Sequence, residues 1–222
     1  MNCFAMQPQR AASLGMKRLA FDIETLGLLH EVPLPEITCV CMCDDDGNDY
    51  CFRIWKDVNR AKNEEAIIQL LDQAEIICGY NAVQFDLEYI RRVMVVSDEK
   101  MTAWVRKCLD PYMFALYITC TPCKLQHMLE LNNLSSKTAS GGDAIVMARE
   151  DRWDELIAYC LMDAKLTLSL CQLEWIHFTA SLQGRLSADE PPQFRFFTKA
   201  APLLSIAPKT ILPREGLAVY DD

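Results

Sequence analysis

Between Asp151 and Phe178 the apolar residues recur at helical spacing in two parallel stripes, and no other stretch of the chain constrains the fold so tightly. Ile157, Leu161, Ala164, Leu168, Cys171 and Trp175 step down one side, while Leu156, Tyr159, Asp163, Leu166 and Leu170 step down a second. The narrow wedge between the stripes holds Asp154, Lys165, Ser169 and Gln172, the residues expected in solvent. The spacing therefore predicts a helix from Asp151 to about Phe178 that is covered on two sides. Asp163 falls inside the second stripe. A carboxylate among apolar neighbours is costly unless something compensates its charge.

The elements that can cover such a helix lie upstream. Residues 17–24 alternate, with Leu19, Phe21 and Ile23 facing one way and Ala20, Asp22 and Glu24 the other, as a strand requires. Two further strands are predicted over Ile37–Met42 and Tyr50–Trp55. They are joined through the turn-forming run Asp44-Asp45-Asp46-Gly47-Asn48, so the pair reads as an antiparallel hairpin. The three aspartates read as a solvated turn rather than an ion site. A helix follows, capped by Asn63 and opening with Glu64 and Glu65, where a helix N-terminus favours negative charge. Next come a short buried strand, Glu75–Cys78, and a second helix over Gln84–Met94. A helix is expected to start at Asp110-Pro111 and another to run over Lys124–Leu131, with a polar loop over Ser135–Gly142. Alternating strands and helices prefaced by a hairpin make this an α/β chain with a mixed sheet and flanking helices.

The boundaries expected from this pattern are a loose leader over residues 1–16, one domain over residues 17–186, and a proline-rich tail over residues 187–222. With 51% hydrophobic residues in 222, the chain can build a large core. The eleven cysteines are an odd number and no secretory segment precedes the domain, so a disulfide scaffold is not expected and a reducing intracellular compartment, cytoplasm or nucleus, is. Cys39, Cys41 and Cys43 alternate along one strand and read as small buried hydrophobes on a shared face. Cys120 and Cys123 form a lone CxxC, short of the ligands a closed zinc site needs. No run of apolar residues is long enough to span a membrane.

The formal net charge of −9 argues against a broad cationic footprint for long duplexes. It leaves nucleic acid open, because carboxylates that bind divalent cations invert the local field and attract phosphate. Three segments offer such carboxylates. Asp22 and Glu24 lie two residues apart on a strand and therefore share a face. Asp86 closes the segment from Asn81 to Phe85 at a strand-to-helix passage, where open α/β sheets place ligands. Tyr159 and Asp163 are four residues apart on the long helix, so phenol and carboxylate stack on one face. Taken singly, the first pair can be a wet strand face, Asp86 a helix-start residue, and Asp163 a buried acid satisfied by a lysine or a backbone amide.

Together the three segments resemble the DEDD superfamily of exonucleases, which have a ribonuclease-H-like (DnaQ-like) fold, and within it the tyrosine branch. Asp22-Ile23-Glu24 followed by Thr25 matches the first motif, Asn81 through Phe85-Asp86 the second, and Tyr159 with Asp163 the third. Gly79-Tyr80-Asn81 with Phe85-Asp86 and Tyr89 is especially similar to the proofreading domain of family-B DNA polymerases. In the histidine branch the base precedes the last aspartate by five residues, and that position here is Ala158. The likeness spans residues 17–180.

The resemblance implies a 3′–5′ exonuclease that uses two divalent ions, Mg²⁺ or Mn²⁺, held by Asp22, Glu24, Asp86 and Asp163, with Tyr159 positioning the attacking water. It implies a nucleic-acid 3′ end as partner, with Thr25, Leu26, Asn81 and Phe85 as candidate substrate contacts; for Phe85 a plain core role stands equally open. The low basic content favours short or single-stranded ends over long duplex, and DNA is the first substrate considered. Two alternatives remain open: a 3′–5′ exoribonuclease of RNA processing or turnover, and a catalytically silent binding module. Lys124, Lys137, Arg149 and Arg152 are the candidate phosphate contacts, with exposed solvation the simpler account of each.

Overall fold

The structure, a computed structural model, describes residues 18–119, 122–135, 141–178 and 193–195. Strand β1 (Arg18–Thr25) is central to a five-stranded sheet that also contains β2 (Ile37–Asp44), β3 (Asp49–Arg53), β4 (Ile76–Cys78) and β5 (Cys108–Leu109), in the order β3-β2-β1-β4-β5. The hairpin side is antiparallel, β1 to β2 and β2 to β3, whereas β1, β4 and β5 run parallel. The mixed α/β sheet expected from the alternation of elements is thus present.

Helix α1 (Arg60–Gln73) connects the hairpin to β4, and α2 (Asp86–Val93) and α3 (Asp98–Arg106) connect β4 to β5. Helices α4 (Pro111–Thr119), α5 (Leu125–Leu131) and α6 (Gly141–Arg149) then lead to the long α7 (Trp153–Cys171), which packs across β1 and β2. A separate ribbon pairs β6 (Trp175–His177) with β7 (Gln193–Arg195). Among the described residues no helix is long and apolar enough to cross a membrane.

The period-two reading of β1 holds. Leu19, Phe21 and Ile23 enter one core with Ile67, Leu71, Leu87, Tyr89 and Trp104, while Ala20 on the opposite face enters the core beneath α7. Each fully buried side chain of this size contributes about 1.5–3 kcal/mol to burial, so the two faces together fix β1 as the structural centre. The Asp44–Asp46 run is a turn, as expected: Asp44 accepts hydrogen bonds from the backbone of Asp46 and Asn48 and from the Tyr50 hydroxyl.

Several boundaries differ from the sequence expectation. Helix α1 starts earlier, after Asn59, and Asn63 lies inside it, where its side-chain amide donates to the Arg53 carbonyl at 2.9 Å instead of capping. The long helix ends at Cys171. Beyond it the backbone of His177 is held from both sides by the buried Asn132, whose amide oxygen accepts its N–H and whose amide nitrogen donates to its carbonyl, each at 2.8 Å. This side chain imitates a neighbouring strand and satisfies groups a helix would have paired, so Trp175 lies 43% exposed on a strand instead of continuing the apolar stripe. Helices α3 and α6 and the two-residue β5 have no counterpart in the periodicity. The leader, Cys120, Lys137, most of the Ser135–Gly142 loop and most of the tail lie outside the described residues; of the tail, residues 193–195 contribute β7.

Candidate metal centre

Strand β1 and helix α7 bring three carboxylates to one point. One oxygen from each of Asp22, Glu24 and Asp163 lies within 4.8 Å of the other two. Asp22 and Glu24 reach it because period two aims both at the face that α7 covers, and β2 flanks them in register, with Asp22 opposite Cys41 and Glu24 opposite Cys39. Immediately after Glu24 the register slips, so that Thr25 sits opposite Ile37. This irregularity falls at the edge of the site, a common place for a bulge. Asp163 comes from the middle of α7 and is 4% exposed. Tyr159 lies one turn earlier, half-buried against the cluster of Cys39, Cys41, Leu156 and Cys160.

Asp86 arrives by a different route. As the first residue of α2 it is 5% exposed, and its Oδ1 accepts the backbone N–H of Ile23 at 3.3 Å. Its carboxylate is therefore tied to the peptide between Asp22 and Glu24, although it is not one of the three that converge. Burial pushes the Asp86 carboxyl up to about 7, the charge of Asp110 adds to the rise, and the Ile23 N–H opposes it.

The turn that delivers Asp86 is tightly built. A Cβ added at Gly79 would collide with the Ala82 side chain and come within 3.3 Å of the Phe21 ring, so only glycine permits this close approach. Asn81 adopts a left-handed conformation, φ 63°, which asparagine tolerates better than most residues, and its side-chain oxygen is buried without a hydrogen-bond partner. Asp110, at the end of β5, accepts backbone N–H groups from Asn81 at 2.9 Å and Val83 at 3.1 Å. It also caps α4 through Tyr112 and Met113. Burial pushes its carboxyl up to about 6, against the pull of those four amides. Asp110 is the residue that sequence reading missed: the Asp-Pro pair marked a helix start, and nothing local announced its bonds to a turn 27–29 residues away.

The other sequence candidates fall around this frame. The Thr25 hydroxyl donates to the Gly27 carbonyl at 2.7 Å, and the Tyr89 hydroxyl donates to the same oxygen at 3.2 Å, so α2 holds the loop that follows β1. Leu26 packs against the Cys39–Cys160 cluster. Phe85 packs on the core and on the Tyr89 ring, with centroids 5.3 Å apart. Of the cationic candidates, Arg152 is engaged with Glu150 and Glu155, while Lys124 and Arg149 are exposed.

The donor set is chemically specific. Three like charges meet at a half-buried to buried point, an arrangement stabilised by a hard divalent cation with oxygen coordination. Asp22, Glu24 and Asp163 therefore fit one such ion, and Asp86 stands beside them at Ile23.

Residues 19–174 match a family model described as the RNase_H superfamily. No curated protein matches the chain. Among solved structures, the fold is similar to the family B DNA polymerase of the hyperthermophilic archaeon Pyrobaculum calidifontis, with a TM-score of 0.51 and 15% identity over 70% of this chain and 24% of the polymerase. Exonuclease I without ligand aligns at a TM-score of 0.47 and 17% identity, over 71% of this chain and 41% of that one. E. coli exonuclease I in complex with a 5cy-dT13 oligonucleotide aligns at 0.46 and 16%, over 71% and 40%. The chain thus spans about a quarter of the polymerase and about two-fifths of the exonuclease I chains.

Proposed function

The chain belongs to the RNase H superfamily, and from that premise we propose that it is a 3′–5′ exonuclease of the tyrosine-bearing DEDD type, acting on single-stranded DNA ends. The observation that carries the reading is the meeting of Asp22, Glu24 and Asp163 within 4.8 Å, one helical turn from Tyr159. In an acidic chain, a ligated dication is the element that makes such a point attractive to phosphate.

In this reading Asp22, Glu24 and Asp163 hold one Mg²⁺ or Mn²⁺ ion, and Asp22 with Asp86 supports a second. When bound, such ions supply countercharge to the phosphodiester and lower the pKa of a coordinated water. Tyr159 accepts a hydrogen bond from the attacking water at its phenol oxygen and so aims it at phosphorus. The bond to the 3′-oxygen of the penultimate sugar breaks, releasing a 5′-nucleotide and leaving a shortened strand with a 3′-hydroxyl. Thr25 and Leu26, on the loop held by Tyr89, contact the terminal nucleoside. Asn81, at the turn that delivers Asp86, borders the same nucleotide, and Phe85 supports the pocket wall from the core side.

The test is incubation of matched DNA and RNA oligonucleotides, labelled at the 5′ end, with the full chain and Mg²⁺ or Mn²⁺. A descending ladder from the DNA is the expected result, and it also reports polarity. A ladder from RNA alone would reassign the substrate to RNA, and intact oligonucleotides in both lanes across a metal titration would overturn the enzyme reading in favour of a binding module.

A further inference from the structure

The carboxylate cluster has a sulfur counterpart built on the same elements. Cys39 and Cys41 stand directly across the sheet from Glu24 and Asp22, and Cys160 follows Tyr159 on α7. One sulfur from each of the three lies within 4.8 Å of the other two, and all three residues are fully buried and unoxidised. Among the described residues this is the group of three thiols that meets so closely. Cys43, one alternation further along the same strand face, does not join it. Cys51 is exposed, pairs with Cys41 in the β2–β3 register, and does not join the group either.

We propose that Cys39, Cys41 and Cys160 form a binding site for a thiophilic dication of the Zn²⁺ class. Thiolates select soft or borderline ions and discriminate against Mg²⁺, so two metal sites of opposite preference share β1, β2 and α7. A tetrahedral zinc site with bonds of 2.3 Å places its sulfurs about 3.8 Å apart. The observed ceiling of 4.8 Å requires less than about 1 Å of closure from that geometry. Three thiolates and one dication leave a single negative charge, where a monovalent ion would leave two. Each coordinating sulfur gives up its proton to solvent on binding, so occupancy rises with pH. The Cys160 thiol now lies 3.3 Å from the Asp22 carbonyl in a donor position, and coordination would withdraw that contact from the strand that carries the carboxylates.

The inference is independent of the nuclease reading, and its test needs no activity. Reduced, chelator-stripped full-length protein is titrated with Cd²⁺ in the presence of excess Mg²⁺, and ultraviolet absorption from sulfur-to-cadmium charge transfer is followed. This band reports thiolate coordination and is silent for carboxylate sites. One equivalent with a saturating band is expected for the parent chain, competed away by Zn²⁺. Cys39→Ala, Cys41→Ala and Cys160→Ala should each lose the band, whereas Cys43→Ala and Cys171→Ala should retain it. Absence of the band in the folded parent protein overturns the proposal outright, even if a variant fails to fold. Its persistence at parental strength in all three substituted proteins does so equally, and would assign the three thiols to core packing alone.

Discussion

The Asp110 carboxylate accepts the backbone N–H of Asn81 at 2.9 Å, so the end of β5 holds the turn from which Asp86 emerges. The same side chain takes N–H groups from Val83, Tyr112 and Met113 at 3.1–3.2 Å. Asp110→Ala would leave four backbone donors at a buried position without this acceptor and remove the cap of α4. The expected cost is about 3 kcal/mol in urea unfolding. Asp110→Asn keeps one acceptor oxygen and should lose roughly half as much. Equal stability of the alanine variant and the parent would contradict this positioning role.

At the carboxylate point, Asp22→Ala and Asp163→Ala should each slow phosphodiester cleavage by about a thousandfold or more, equivalent to about 4 kcal/mol in the barrier. The fold should persist, as judged by circular dichroism. Tyr159→Phe retains the ring that packs beside Cys160 and removes only the phenol oxygen, so its loss should be smaller than either. A single-turnover assay on 5′-labelled DNA ranks the three, and the reverse order would reject the assigned roles.

Divalent ions should stabilise the folded chain. At a free concentration about a hundred times Kd, one bound ion contributes about 2.7 kcal/mol, read as a rise in thermal midpoint over the same protein in chelator. The gain should be lost in Asp163→Ala, which removes one of three converging oxygens. A rise of equal size in that variant would place the ion elsewhere.

Asp86 gives a pH signature. Burial pushes its carboxyl from the ordinary 3.8 up to about 7, so the folded chain binds this proton more tightly than the unfolded chain does. Its contribution to stability is fully present below pH 3.8 and is lost as pH rises through about 7. Asp86→Asn carries no such titration. In chelator, the stability difference between parent and variant should move in favour of the variant by about 1 kcal/mol or more between about pH 4 and about pH 8. A difference that stays constant over that range would show that the carboxyl is not desolvated as described.

Periodicity made the two ends of the candidate site legible in the sequence. Alternation along β1 separates Leu19, Phe21 and Ile23 from Asp22 and Glu24, because successive side chains of a strand face opposite ways. Helical spacing stacks Tyr159 on Asp163, because four residues nearly complete a turn. These are properties of a short stretch of chain, and the α/β order of elements follows from the same kind of pattern.

What tertiary structure decided depends on pairing between distant segments. The Asp86 carboxylate meets the Ile23 amide across 63 residues, Asp110 holds a turn nearly thirty residues earlier, and Asn132 holds His177, beyond the end of α7, by imitating a strand. The two-residue β5 is too short to show any period, yet its position in the sheet places Asp110. Cys39 and Cys41 share a face by alternation alone, but Cys160 joins them only because α7 crosses β2. Local spacing fixes which way a side chain points; which other segment it then meets is set by the packing of the whole sheet and its helices, and that packing is written in no single stretch of the chain.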